Sequence, residues 1–311
     1  MTRPRTISTC LVLAIALGGA ACGDDSGSTG GGGAGGAATG AGGQGASGQG
    51  GGNGSTEAVA ITFRAKVGDA AFACGTTFDG LGTSGASAEL SDFRLYVHDV
   101  RLSKGGEAIP VALDQDGVWQ LEGLALLDFE NKTGKCSNGT AETNVTVRGT
   151  VPAGTTFDGI AFRVGVPFEL NHGDASTAPS PLNLSALFWN WQGGRKFVRA
   201  DAFAAGASAP FNLHLGSTGC DGDPATGGVT SCSKPNVASI ALDGFDSTDK
   251  VIVVDYAALV AGVDLATDQG GAPGCMSGAT DPECGPILAS LGLEVASGAP
   301  STTPATAFRV E

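Results

Sequence analysis

Hydrophobic residues in this chain recur mostly at every second position, in short runs punctuated by glycine and proline. Val59, Ile61, Phe63 and Val67 share one parity, as the buried side of a half-exposed strand requires. Phe93, Leu95 and Val97 repeat the pattern, and Val100 and Leu102 continue it on the opposite parity. Such a one-residue offset predicts a β-bulge near His98 and Asp99. The longest alternation puts Ile160, Phe162, Val164, Val166 and Phe168 on one face. Residues 109–113, 145–148, 211–215, 237–242, 251–254 and 307–310 predict further strands, whereas helical periodicity is confined to two turns over 255–263 and a short segment over 286–291. Many short strands between glycine and proline turns predict an all-β domain, an antiparallel sandwich or barrel with a few short helices. Within 211–215, Phe211, Leu213 and Leu215 point one way and Asn212 and His214 the other. That parity aims His214 at solvent or a cleft and places His172 just past a strand end.

The ends of the chain change this picture. Arg3 and Arg5 precede an apolar run over 11–17 that is too short to span a bilayer. Small residues then lead into Cys22, the form of a bacterial lipoprotein signal (residues 1–22) in which Cys22 is acylated; Gly19 stands where such signals usually carry leucine. Residues 23–55 are dominated by Gly, Ala, Ser and Gln, so they bury too little to offset their ordering entropy and read as a disordered tether. As a flexible coil this tether reaches roughly 30 Å. The expectation is an exported, membrane-anchored lipoprotein, periplasmic or at the cell surface, whose folded domain is 56–311 and whose only membrane contact is its lipid. A formal net charge of −14 with no basic stripe disfavours a nucleic-acid partner.

Setting aside Cys10 and Cys22 leaves Cys74, Cys136, Cys220, Cys232, Cys275 and Cys284. An even set in an exported chain predicts disulfides, and six cysteines permit fifteen pairings. We favour Cys74–Cys136, Cys220–Cys232 and Cys275–Cys284, the last two because each closes a short loop rich in Gly, Pro and Asp. No CxxC or CxxCH motif occurs, which argues against a thioredoxin-like centre and c-type haem.

Candidate chemistry concentrates between residues 165 and 220. Two of the three histidines, His172 and His214, flank Trp189 and Trp191 in a chain with one other tryptophan. Imidazole is the commonest side-chain ligand for copper and zinc, so this concentration suggests a metal site, with His172 and His214 as ligands. His98 is the weaker ligand candidate and Trp119 reads as core. Read as plain sequence, Trp189 and Trp191 are core residues too. Asp221 and Asp223 read as a solvated turn. With no GxSxG, HExxH or P-loop motif, we expect no enzymatic activity.

A set of ordered blocks resembles a known family. These are FRLYVHDVRL (93–102), ALLDFE (125–130), GVPFELNH (165–172), PLN (181–183), FWNWQGGRKFVR (188–199), HLGSTGC (214–220), KPN (234–236) and AFRV (307–310). Together they resemble the MbnP-like family, also described as metallo-mystery-pair four-Cys proteins and related to the copper-binding proteins MopE and CorA. The resemblance implies a copper-binding protein that serves in storage, scavenging or delivery. It also implies a partner, a MauG-like dihaem cytochrome c peroxidase that oxidises a tryptophan, here Trp189 or Trp191, to kynurenine. Cys74, Cys136, Cys220 and Cys232 match the family's four cysteines, and Cys275 with Cys284 forms an extra pair. The chain departs from the family at Gly194-Arg195, where Gly-Tyr is frequent. The competing reading of the same residues is a surface-interaction or carbohydrate-binding lipoprotein module with no metal function.

Overall fold

The computed structural model describes residues 55–223 and 228–311. The signal 1–22 with its lipidated Cys22, and all of the tether except Ser55, lie outside the described residues.

Two sheets face each other. In the first, the order is Phe308–Val310, Ile252–Asp255, Thr56–Val67, Thr146–Pro152 and Ala112–Leu113. In the second it is Ala238–Asp243, Gly159–Val164, Arg94–Lys104, Val198–Arg199, Asn212–Leu215 and Gly274–Cys275, with Leu124–Asp128 also paired to Arg94–Lys104. The inner faces interdigitate as the alternation predicts: Val59, Ile61, Phe63, Ala65 and Val67 are all buried. Phe162 of the second sheet meets Phe63 and Phe308 of the first edge-on, with ring centroids 5.5 and 5.6 Å apart. Edge-to-face contacts of this kind add about 1 kcal/mol each to the area buried. The protein is thus an all-β sandwich with short helices. Most pairings are antiparallel, but Thr56–Val67 pairs in parallel with Ile252–Asp255, and Asn212–Leu215 with Gly274–Cys275.

The bulge lies where the parity switch puts it. Arg163 pairs with His98 while Ala161 pairs with Arg101, so Asp99 and Val100 together oppose Phe162. Asp99 takes up the extra residue in a left-handed conformation, φ 51°. The long alternation over 160–168 holds only in part. Its strand, Gly159–Val164, ends before Pro167, which has no N–H for a ladder and precedes the short helix Phe168–Asn171. Phe168 is therefore 42% exposed instead of in the core. The segment 109–113 is also not one strand. Glu107–Pro110 pairs into the second sheet and Ala112–Leu113 into the first, so the chain changes sheets at Val111. The helix expected over 255–263 shortens to Tyr256–Leu259, capped by the Asp255 carboxylate, which accepts from Ala257 N at 3.0 Å.

All three expected disulfides are present. Cys74–Cys136 closes a separation of 62 residues, stabilising by roughly 4 kcal/mol in the chain-entropy account. Cys275–Cys284 fastens the strand Gly274–Cys275 to the helix Cys284–Ser290. Cys220–Cys232 joins directly opposed residues of a hairpin, Thr218–Asp223 and Gly228–Lys234, that stands apart from both large sheets.

The second sheet also buries carboxylates. Burial raises the Asp128 carboxyl to about 8, against the Arg94 charge that lowers it, with Glu130 and Asp92 adding to the rise. A carboxyl that is protonated in the folded state but ionised in the unfolded chain makes stability fall as pH rises between those two pKa values. We therefore expect the urea midpoint to decrease from about pH 4 towards pH 8. Asp128→Asn, which keeps an oxygen for the Glu130 amide (3.2 Å in the native protein), is expected to flatten that slope. An unchanged slope in the variant would assign the pH dependence to other groups.

Candidate metal centre

The helix Phe168–Asn171 ends at His172, so this histidine caps a helix and does not follow a strand as expected. Its ring is half-buried and held at both nitrogens. Nδ1 lies 3.1 Å from the Trp191 carbonyl oxygen. An imidazole facing a carbonyl must donate to it, which fixes the Nδ1–H tautomer and leaves the Nε2 lone pair unprotonated. Nε2 faces the Asn171 amide at 3.1 Å and Cys232 Sγ at 3.5 Å. Burial lowers the pKa of the ring, opposed by the Trp191 carbonyl and reinforced by the Arg195 charge, which favours the neutral form a metal requires.

The turn carrying His172 is fixed by Arg195, one of the largest fully buried side chains in the protein. The guanidinium donates from Nη1 to the carbonyls of Leu170 and Asn171, both at 2.6 Å, and from Nε and Nη2 to that of Leu182 at 3.1 and 2.9 Å. The Arg195 amide donates to Asn171 Oδ1 at 2.8 Å. A planar fork of fixed donors spans three carbonyls from two segments where an ammonium would reach only one direction well.

His214 lies on the strand Asn212–Leu215, paired with Arg199 of Val198–Arg199. Parity is observed but exposure is not: Leu213, His214 and Leu215 are all buried, His214 at 5%, because the polar face of this strand is itself covered. Asp201 supplies part of the cover, with Oδ1 2.9 Å from His214 Nε2. This carboxylate is the partner Nε2 has, whereas the other ring nitrogen, Nδ1, is buried with no hydrogen-bond partner. Asp201 is held in turn by Arg199 Nε at 2.7 Å, and that nitrogen reaches Asp92 Oδ2 at 3.1 Å. Asp92 pairs with the buried Arg94 through Nε at 2.8 Å and through Nη2. Burial alone would raise the Asp201 carboxyl, but His214 and Arg199 outweigh it and its pKa is lowered.

The Trp189 indole packs beside His214, ring centroids 6.4 Å apart, and lines an open cleft of about 450 Å³ together with Asn190, Gln192, Ser217, Cys220 and Met276. Trp191 turns instead towards the disulfide hairpin. Neither tryptophan is core, and both are half-buried. Two glycines make room for them. A Cβ on Gly222 would come within 2.9 Å of the Trp191 ring, and one on Gly216 within 2.5 Å of the Trp189 ring and 2.9 Å of the Arg195 carbonyl. Gly216→Ala is therefore expected to displace Trp189 and cost roughly 1–3 kcal/mol. Loss of near-ultraviolet tryptophan dichroism together with a lower melting temperature checks this.

His172 is therefore brought to the Trp191 backbone and His214 to the Trp189 ring. His98 stays apart from both, since its Nδ1 is engaged 3.0 Å from the Gly165 carbonyl. Trp119 is half-buried and lines a separate cavity of about 290 Å³ with Arg94 and Asp128. No sequence pattern used above marks Asn171 or Asp201 as part of the site, and Arg195 stands out in the sequence only as a departure from the family's frequent tyrosine. For Asp201 a signal existed: Arg199 and Asp201, two apart next to a strand, share a face. Among described residues the closest grouping of metal-ligand types around the hairpin is His172, Cys220 and Cys232, with one ligand atom from each within 4.8 Å of the others.

A disulfide-stapled two-sheet sandwich with an open cleft lined by Trp189, whose ring lies beside His214, defines a small class of β-domain. The chain belongs to the MbnP family, whose model matches residues 56–277. It is similar to the solved structure of MbnP from Methylosinus trichosporium, with 32% identity and a TM-score of 0.73, covering 82% of this chain and 98% of that one. No curated protein matches it.

Proposed function

We propose that this protein binds copper through His172 and His214 outside the cytoplasm, in storage, scavenging or delivery rather than catalysis. The observation that carries this reading is His214. Its Nδ1 is buried with no hydrogen-bond partner and its Nε2 meets only the Asp201 carboxylate; an orphaned nitrogen carries a desolvation cost of about 1–3 kcal/mol, which a metal bond would offset. His172 offers the matching donor, an unprotonated Nε2 whose other nitrogen is tied to a backbone carbonyl, the arrangement that orients metal-bound histidines in general. Nitrogen donors of this kind suit copper, which heads the divalent affinity order. Met-rich copper motifs are absent from the chain, which has two methionines.

Oxidation of a tryptophan to kynurenine by a MauG-like dihaem partner completes the reading, because opening the indole exposes an aniline-type nitrogen able to bind the metal. Trp189 is the better placed of the two. Its ring lines the open cleft and lies against His214, whereas Trp191 packs on Gly222 of the hairpin. Three disulfides favour an oxidising compartment, in keeping with export and with lipidation at Cys22.

Peptide mass spectrometry of residues 188–199, on protein from its native host, tests the maturation. A kynurenine mass on Trp189 and an intact Trp191 is the expected result. Two unmodified tryptophans would reduce the centre to two histidines and remove the need for the haem partner.

A further inference from the structure

We propose a second, thiol-gated metal site formed by Cys220, Cys232 and His172, latent in the disulfide state and opened by reduction. His172 Nε2 lies 3.5 Å from Cys232 Sγ. One ligand atom from each of the three residues falls within 4.8 Å of the other two. Tetrahedral bonds of about 2.3 Å to sulfur and about 2.0 Å to nitrogen separate ligand atoms by ~3.5–3.8 Å, so the group is already gathered at coordination scale. Only the bonded sulfurs are too close, and breaking their bond is the step that lets them part.

Two further features point the same way. Nε2 carries no proton, because the Trp191 carbonyl claims Nδ1–H, so its lone pair lies between the Asn171 amide at 3.1 Å and the sulfur, and a metal would take the place of the amide contact. The disulfide also joins a separate two-stranded hairpin, so its cleavage leaves both large sheets and the other two disulfides in place. Cys220 lines the open cleft of about 450 Å³ and Cys232 is partly exposed, which gives a reductant and an ion a way in.

The step balances with a dithiol as reductant. Two electrons pass from the dithiol to the Cys220–Cys232 bond, which breaks as two S–H bonds form, while the dithiol closes to its own disulfide. Metal binding then releases both thiol protons to solvent. Two thiolates and one imidazole select a thiophilic d10 ion, Cu(I) or Zn(II), over hard cations.

The test uses Co(II) as a spectroscopic probe on purified protein, reduced with dithiothreitol and freed of it under argon, with the thiols assigned by alkylation and peptide mapping. We expect Cys220 and Cys232 to be alkylated, and one equivalent of cobalt to bind with a thiolate charge-transfer band that is absent from the oxidised protein. The band should be lost in Cys220→Ser with Cys232→Ser. It should be weakened in His172→Ala, a variant that keeps all six cysteines of the domain and so isolates the imidazole's part. His214→Ala should leave it intact, so this site and the copper centre fail separately. Resistance of Cys220–Cys232 to reduction in the folded protein, a band that survives removal of both cysteines, or an affinity indifferent to His172 would each overturn the proposal.

Discussion

Replacing His172 and His214 together by alanine is expected to abolish stoichiometric copper binding and leave a folded sandwich. The two imidazoles are the proposed nitrogen ligands, and neither holds the fold by hydrogen bonds that cannot be spared. His214 has only its Nε2 contact with Asp201, and His172 donates to the Trp191 carbonyl and accepts from the Asn171 amide. Removing a half-buried and a buried ring costs packing and weakens the Asp201 contact, together about 1–3 kcal/mol. The three disulfides and the cores of both sheets do not depend on them. Copper content of the purified variant, measured beside its circular dichroism and its melting temperature with and without copper, is the deciding measurement. The native protein should melt higher with copper because a tight ligand of the folded state stabilises it, and the variant should not respond. Retention of one equivalent of copper by the folded double variant would refute the assignment of both histidines.

The second large effect is expected at Arg195. Arg195→Ala removes a rigid fork of donors from a site that water does not reach, leaving the carbonyls of Leu170, Asn171 and Leu182 without that partner. At about 1–3 kcal/mol for each unmatched group, part of it recovered by relaxation, a loss of roughly 3–5 kcal/mol is expected in urea unfolding. The consequence reaches the proposed ligand His172, because two of those carbonyls belong to the turn that ends in it. Arg195→Lys keeps the charge but not the fork, and should recover only part of the stability. If the alanine variant loses less than about 1 kcal/mol, the guanidinium is not the clamp it resembles.

Arg195 also marks the limit of what a sequence discloses. The blocks around it revealed the family, and the frequent tyrosine at this position made the arginine conspicuous. Its burial and three carbonyl partners depend on Leu182, thirteen residues away, and on the helix end at Asn171, and spacing along the chain carries no trace of that convergence. Asp201 is similar. It shares a face with Arg199, which the sequence discloses, but its approach to His214 requires that the strands Val198–Arg199 and Asn212–Leu215 be neighbours.

Short-range physics was legible from the amino acids alone. Alternation of period two located the strands, and the parity switch after Val97 located the bulge at Asp99, because a strand can move its apolar residues to the other face only by inserting a residue. Loop length and composition favoured two of the three disulfides that the fold contains, Cys220–Cys232 and Cys275–Cys284. The concentration of histidine and tryptophan drew attention to the cleft. Tertiary structure decided what no local pattern encodes: the parallel pairing of Thr56–Val67 with Ile252–Asp255, the crossing between sheets at Val111, the cover that buries His214, and the capping position of His172. Each of these is set by contacts between segments far apart in sequence, where the deciding quantity is which surfaces are desolvated together, and a linear pattern reports only which side of its own element a residue lies on.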